Sequence, residues 1–384
     1  MSSLVVVTGA DESLGWHIAV AAHSAGLPVP VRVRQSDLEG NASVVDAIDG
    51  ADRVIYLADV NEGDNKHPRD GYAKAAKALA SALRSCATPP KTVVVASSLA
   101  AEEGTPRSSA QATAAQVIAE ATQWSGSTFV NERLPHVFGE HVRPSDDHVV
   151  ATFCHALASG RIPRVCEHRE LELAHAHDVA VRLLGGPRAA TAYRTVDEIA
   201  QQLGRFATVY RSGGIPDLTD WFDLRLFNTY RSCCFPAHYP LALPRYDDGR
   251  GRHTEVVKAH GSGGQTFCST IRPGATRGDQ YHLTRVERVV VLSGEADIRL
   301  RRLLDDTVIR FQVSGGQLAA VDIPTMWTHN ITNVGTDELV TLFWHNELVD
   351  PTSPDIYLEK VVLPAHGPTT AAGHAAKEAG GVRL

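Results

Sequence analysis

Runs of positive charge are missing from this chain. Lys and Arg number 37 against 44 Asp and Glu, the formal charge is −7, and no basic cluster stands out. A nucleic-acid partner is therefore not expected, because a phosphate backbone demands a basic footprint. No apolar run approaches the roughly 20 residues that a membrane-spanning helix needs. Met1-Ser2-Ser3 leads straight into Leu4-Val5-Val6-Val7, with neither a basic n-region nor a cleavage site. The expectation is a soluble, cytoplasmic protein without a membrane partner. Paired cysteines are missing too. Cys86, Cys154, Cys166, Cys233, Cys234 and Cys268 form no CxxC motif, and they read as small buried hydrophobes in a reducing compartment. Internal repeats are absent.

What remains is ordinary globular material in quantity. The 384 residues, 43% hydrophobic and 21% charged, fit two or three domains with sizeable cores. The run Leu4–Val7 is of the kind buried on both faces of a parallel sheet, and a helical pattern follows over 14–25. Strand patterns at 30–34, 53–57, 92–97 and 128–132 alternate with helical patterns at 71–86 and 111–122. That alternation predicts a doubly wound α/β sheet. Two short helical patterns follow between 178 and 203. After about Pro236 helical periodicity vanishes. Short β-type runs at 265–271, 288–292, 297–303, 307–313, 317–321 and 339–343 predict a sandwich or barrel. The expected division is 1–240 for the α/β domain, 241–365 for the β domain and 366–384 for a flexible Ala/Gly-rich tail.

Two groups of residues carry chemistry. The first is a phosphate-binding turn: a strand, then Thr8-Gly9, then Gly15 opening a helix. Such glycines let backbone approach a pyrophosphate and set it on a helix N-terminus. Its middle position is Glu12, preceded by Asp11. A carboxylate about 4 Å from a phosphate charge costs roughly 4 kcal/mol at an effective dielectric of 20. A strand-turn-helix retained for packing is favoured over tight cofactor binding. Asp37, near the end of the second strand, could meet a ribose hydroxyl.

The second group lies in the β region. Gly274, Gln280, His282, Glu287 and Gly294 follow the spacing G-x5-H-x-H-x4-E-x6-G, and Pro324, Met326, His329 and Asn333 follow P-x-G-x2-H-x3-N. These are the two blocks of the cupin barrels, so the β region resembles a cupin with jelly-roll topology. Gln280 and Met326 depart from the pattern, standing for a histidine and a turn glycine. Residues i and i+2 on a strand face one side, so Gln280 and His282 can share a metal with Glu287 and His329. Two imidazoles and one carboxylate suit Zn, with Fe and Mn as alternatives. A barrel with three leftover polar residues and no metal is the competing reading.

The first half resembles the extended short-chain dehydrogenase/reductases. Leu57-Ala58-Asp59-Val60-Asn61 is similar to their post-strand cofactor loop, with Ala58 in contact with NAD(P). Arg133-Leu134-Pro135 with Phe138-Gly139 is similar to their substrate-side R-x-P-x-x-F-G segment. Those reductases use a Tyr-x-x-x-Lys pair in which the ammonium lowers the phenol's pKa. Counted from Ser97-Ser98, the pair falls on Arg107 and Gln111, and none of the nine tyrosines has a lysine four residues on. The expectation is a vestigial reductase half that binds NAD(P) weakly or not at all.

Taken together, the chain resembles the bifunctional nucleotide-sugar reductase/epimerases of capsular polysaccharide (UDP-L-fucosamine pathway) synthesis. Leu226-Phe227-Asn228-Thr229-Tyr230, Val313-Ser314-Gly315-Gly316, Val321-Asp322-Ile323-Pro324 and Trp344-His345-Asn346-Glu347 extend the likeness over nearly its whole length. The resemblance implies a zinc-binding cupin that epimerises C3 of a UDP-4-keto-6-deoxy sugar, an NADPH-dependent C4 reductase, and a homodimer. The family's His-Trp-His-His block reads Gln280-Tyr281-His282-Leu283 here. The expected activity is metal-dependent isomerisation or epimerisation of a keto-sugar nucleotide. His282 and Glu287 would be catalytic as well as metal-binding. Tyr281 is a candidate proton donor, although strand alternation favours an outward position for it. The alternatives are a reductase with atypical catalytic residues and a non-catalytic sugar-nucleotide-binding protein.

Overall fold

The computed structural model describes residues 3–362, except 10–12, 35–36, 39–40, 58–67, 100–105, 145–147, 167, 262 and 353. The Ala/Gly-rich tail expected at 366–384 lies outside the described residues.

The first half is a Rossmann-type unit. Its five strands run in the spatial order Val31–Val33, Val5–Thr8, Arg53–Leu57, Thr92–Ser98, Thr128–Leu134, and every pairing is parallel. Alternation along these strands feeds two cores. Val6, Val54, Tyr56, Val93 and Val95 pack with the helices Asn41–Ile48, Pro68–Ser85 and Pro106–Ser125. Val5, Val7, Ile55, Leu57, Val94 and Ala96 face the other way, onto the helices Ser13–Ser24 and Ala176–Leu183. With both faces covered, the strands read as continuous apolar runs. Strand order reverses beside Val5–Thr8, and in such sheets ligands bind outside the strand ends at that point.

A three-stranded sheet of His136–Phe138, Glu170–His175 and Thr191–Thr195 follows. The helices Val149–Ala158, Val196–Arg211 and Trp221–Cys234 pack beyond it. The last helix opens on Asp220, whose carboxylate accepts from the amides of Phe222 and Asp223, the usual N-cap arrangement.

The second half is antiparallel β. One five-stranded sheet has the order Gln265–Ile271, Leu339–His345, Glu287–Ser293, Ala319–Ile323, Leu241–Ala242. The other has the order Val308–Ser314, Glu295–Arg302, Trp327–Asn333, Thr276–Tyr281, Tyr357–Leu358. Val289 and Val291 from the first and Ile298, Leu300 and Ile331 from the second share one core with Phe206, Phe222 and Phe227 of the preceding helices. A salt bridge is buried at the edge of this core. Arg288 grips Asp322 through two bonds of 2.7 and 2.9 Å, and neither side chain is exposed.

Two expectations are corrected. The cysteines are not uniformly buried: Cys154 and Cys234 are, whereas Cys166 and Cys268 are exposed, and all six are free thiols. His282 does not lie on a strand beside Gln280. The strand ends at Tyr281 and bulges between Gly278 and Gln280, where Asp279 adopts φ +60°. No helix among the described residues is long and apolar enough to cross a membrane.

Candidate metal centre

The centre forms between the facing sheets. Glu287 opens its strand and stands opposite His345, the last residue of the neighbouring strand. His329 lies within Trp327–Asn333 on the other sheet, directly opposite Gln280. Directly opposed residues in an antiparallel pair share a face, so Gln280 and His329 point the same way. His282 follows Tyr281 in the loop that leads to Glu287.

Three imidazoles converge on one carboxylate. His282 Nε2 is 3.2 Å from Glu287 Oε2, His329 Nε2 is 3.1 Å from Oε1, and His345 Nε2 is 2.8 Å from Oε2. All four residues are buried. Burial alone would raise the Glu287 pKa, but the facing charge of His329 and bonds from His282 and His345 hold it well below the usual carboxylate range. Burial would likewise lower that of His282, but its bonds to Glu287 and to the Asp355 carbonyl raise it instead.

This donor set fits a divalent cation. His282 Nδ1 lies 2.6 Å from the Asp355 carbonyl oxygen. A carbonyl can only accept, so Nδ1 carries a proton and Nε2 is the atom turned to the carboxylate, where a bound cation would take the place of the proton shared with Glu287. Such a carbonyl partner is the customary support of a metal-binding histidine. Glu287 Oε1 has no hydrogen bond despite complete burial. His282, Glu287 and His329 each offer one ligand atom, all within 4.8 Å of one another. Two ligands on one tetrahedral zinc, with bonds near 2.0 Å, lie about 3.3 Å apart, close to the 3.1 and 3.2 Å found here. His345 at 2.8 Å fits a hydrogen bond to the carboxylate instead, orienting it.

His345 lies outside both cupin blocks, so the sequence motifs assign it no role. The signal for it is register: a histidine ending the strand that pairs with the Glu287 strand. Tyr281 goes elsewhere. Its hydroxyl donates to Ser24 Oγ at 3.0 Å and its ring stacks on Tyr357, so the structure does not bring it to the cluster. Burial pushes its phenol up to about 12. Leu283 also turns away, packing with Trp16, Val20, Tyr281, Leu303 and Met326.

At the phosphate turn, Gly9 holds φ +70°, and a Cβ there would lie 2.4 Å from the Leu57 carbonyl oxygen. Only glycine fits. Thr8 is buried with its hydroxyl unpartnered, and Gly15 is buried in the first helix. The Asp37 carboxylate accepts from the Arg34 amide at 3.3 Å, closing a local turn. Asp11, Glu12 and the Ala58–Asn61 loop lie outside the described residues. Ser97 donates to Asn131 Oδ1 at 2.7 Å, and Gln111, at the position of the reductase lysine, is buried.

A Rossmann-type sheet followed by an antiparallel β unit with a polar centre defines a class, and comparison with known proteins gives the family. The chain belongs to the capsular nucleotide-sugar reductase/epimerase family. Residues 246–357 match the model for the polysaccharide biosynthesis C-terminal domain. UDP-2-acetamido-2,6-beta-L-arabino-hexul-4-ose reductase of Pseudomonas aeruginosa is 30% identical over 370 residues, 92% of this chain and 97% of that protein. Among solved structures, the capsular polysaccharide assembling protein CapF from Staphylococcus aureus is 28% identical. The match covers 93% of this chain and 99% of that one, with a TM-score of 0.57. CapF with the inhibitor 3-isopropenyl-tropolone matches over the same shares at 27% identity and a TM-score of 0.51.

Proposed function

We propose that the protein is a metal-dependent epimerase or isomerase of a keto-deoxy nucleotide sugar, with its chemistry in a C-terminal cupin. The observation that carries this reading is the convergence of three imidazole Nε2 atoms on the buried Glu287 carboxylate. His282, Glu287 and His329 would hold the cation, zinc by preference. Once bound, it supplies Lewis acidity that favours enolisation next to a ketone. The protein's own groups do the rest. His345 fixes the carboxylate through Nε2 and has an unpartnered Nδ1, where it can carry a proton. The Asp355 carbonyl fixes the His282 tautomer. The buried setting excludes water and strengthens each of these interactions. A UDP-4-keto-6-deoxyhexose is the proposed substrate, a homodimer the proposed state, and NAD(P) binding in the N-terminal half is expected to be weak or absent.

The test is deuterium exchange at C3 of that sugar in heavy water, without reduced cofactor, in protein of known metal content. Exchange that chelation stops supports the reading. A second reading, reduction of the C4 ketone, is favoured by the reductase activity in the relative's name and by the glycine-only geometry at Gly9. Cofactor-dependent NADPH oxidation without metal-dependent exchange would select it. Neither activity, together with tight sugar-nucleotide binding, would leave a binding protein.

A further inference from the structure

The loop between the two ligands His282 and Glu287 has its backbone bonds divided between the halves of the chain. Its amides are held from within the β unit. Those of Leu283, Thr284 and Arg285 donate to the Asp355 carboxylate at 2.9–3.0 Å, and that of Val286 donates to Asn346 Oδ1 at 2.8 Å. Two of its carbonyls, those of Leu283 and Thr284, are held from outside. Arg225 Nη1 donates to the Leu283 oxygen at 3.1 Å while its Nη2 is anchored on Asp178 at 2.8 Å. Asn228 Nδ2 donates to the Thr284 oxygen at 2.7 Å. The turn before His329 is held in the same manner. Arg231, fully buried on the same helix, donates to the Ile323 oxygen at 3.0 Å and to Asn228 Oδ1 at 2.7 Å. Thr325 donates its hydroxyl proton to Glu140 Oε1 at 2.7 Å, and Glu140 Oε2 is 3.0 Å from His175 Nε2. The Met326 amide then donates to the His282 oxygen at 2.7 Å, tying the loop and the turn together.

We propose that the N-terminal half is the scaffold of the metal centre. Glu140, Arg225, Asn228 and Arg231 act as positioning residues that hold the His282–Val286 loop and the Ile323–Met326 turn where His282, Glu287 and His329 converge. None of the four touches the cluster. They act on groups to which the β unit gives no donor or acceptor of its own, the carbonyls of Leu283, Thr284 and Ile323 and the Thr325 hydroxyl, and carbonyls left without donors inside a protein are costly. This role asks nothing of the reductase chemistry, so it accounts for a well-packed N-terminal half that lacks the Tyr/Lys pair. The proposal rests on the metal reading for its consequence, though not for its geometry.

The experiment uses the full chain and two readouts, amide hydrogen exchange by residue and zinc affinity by chelator competition. Arg225→Met keeps the apolar stem and removes the donor; Glu140→Gln weakens the grip on Thr325. The first should speed exchange at the amides of 283–286, and the second at 325–327, each by about tenfold to a hundredfold, the amount a charge-assisted bond represents. Zinc affinity should fall by about tenfold or more in both, and Arg225→Lys, which restores a donor, should recover much of it. Ile118→Ala, in the core on the far side of the parallel sheet, controls for general destabilisation and should leave both readouts at the parent level. Unchanged local exchange in the first two variants overturns the proposal, as does a parent-like zinc affinity in both or an Ile118→Ala effect of equal size. Faster local exchange in a protein whose parent takes up no zinc supports the scaffold and rejects the metal reading instead.

Discussion

Replacing Glu287 by Gln removes one charge at almost constant volume, so the change probes the centre's electrostatics and leaves packing aside. In the parent, zinc at a hundredfold excess over its dissociation constant adds about 2.7 kcal/mol to stability by mass action. For a unit of 150–250 residues that corresponds to a rise in melting temperature of roughly 5–10 °C. The variant keeps two imidazoles but offers a neutral amide where Glu287 stands 3.1–3.2 Å from His329 and His282. A hundredfold loss of affinity at the same zinc concentration shrinks the gain to about 0.4 kcal/mol, roughly 1 °C. The metal-free variant should itself be less stable, by about 3–5 kcal/mol, because three buried imidazoles lose their common acceptor. The informative quantity is therefore the zinc-dependent increment, read by calorimetry on chelator-treated protein with and without added zinc and paired with elemental analysis. An undiminished increment in Glu287→Gln would falsify the assignment of the metal to this cluster.

Further outcomes follow from the geometry elsewhere. Asp322→Asn should destabilise the protein by about 3–5 kcal/mol in urea titrations, because it strands the fully buried Arg288 guanidinium; a loss under 1 kcal/mol would mean water reaches that site. Gly9→Ala should cost about 2 kcal/mol or more, since it puts a methyl against the Leu57 carbonyl at φ +70°; a neutral effect would show that the turn relaxes freely. The bond from Glu359 raises the His23 pKa, so that pair stabilises fully below the imidazole's unfolded value near 6.5 and is lost as pH rises through the folded value. His23→Gln should thus lower stability at pH 6 by less than about 1 kcal/mol and have no effect at pH 9; equal losses at both pH values would contradict this.

Legibility of the fold tracked how purely apolar each element is. The strand Arg53–Leu57 falls at the bounds expected from sequence, because a compact apolar run admits few other readings. The helix Trp221–Cys234 has no clear helical signature in the sequence, for the opposite reason. Its buried positions include Asn228, Thr229 and Arg231, so polar groups that serve the neighbouring loops break its apolar stripe. The spacing places Gln280 to His282 on one strand, but the strand Thr276–Tyr281 bulges after Gly278 and stops short of His282, which periodicity alone does not reveal. At the centre, His282, Glu287 and His329 were legible because cupin blocks have fixed spacing. His345 was not, because its place depends on which strand pairs with that of Glu287, a tertiary fact with no local signature.

Leu283 and Met326 look, in the sequence, like two separate losses of cupin character, a histidine and a glycine. The structure gives them a common cause. Both are buried in one apolar cluster with Trp16, Val20, Tyr281 and Leu303, at the junction of the first helix with the β unit. Met326 takes φ +62° there, a conformation costing a non-glycine residue of order 1 kcal/mol or more, which burial of its side chain offsets. Paired apolar replacements in a shared contact are what packing demands, and they carry no message about proton transfer. Restoring a histidine at position 283 should therefore fail to help. Leu283→His would bury an imidazole against Trp16 and cost about 2 kcal/mol or more, while leaving C3 exchange no faster. Gln280→His, opposite His329, should instead raise zinc affinity at little cost in stability. Both can be read with the same exchange and competition assays. A Leu283→His variant that folds normally and exchanges faster than the parent would return position 283 to the active site.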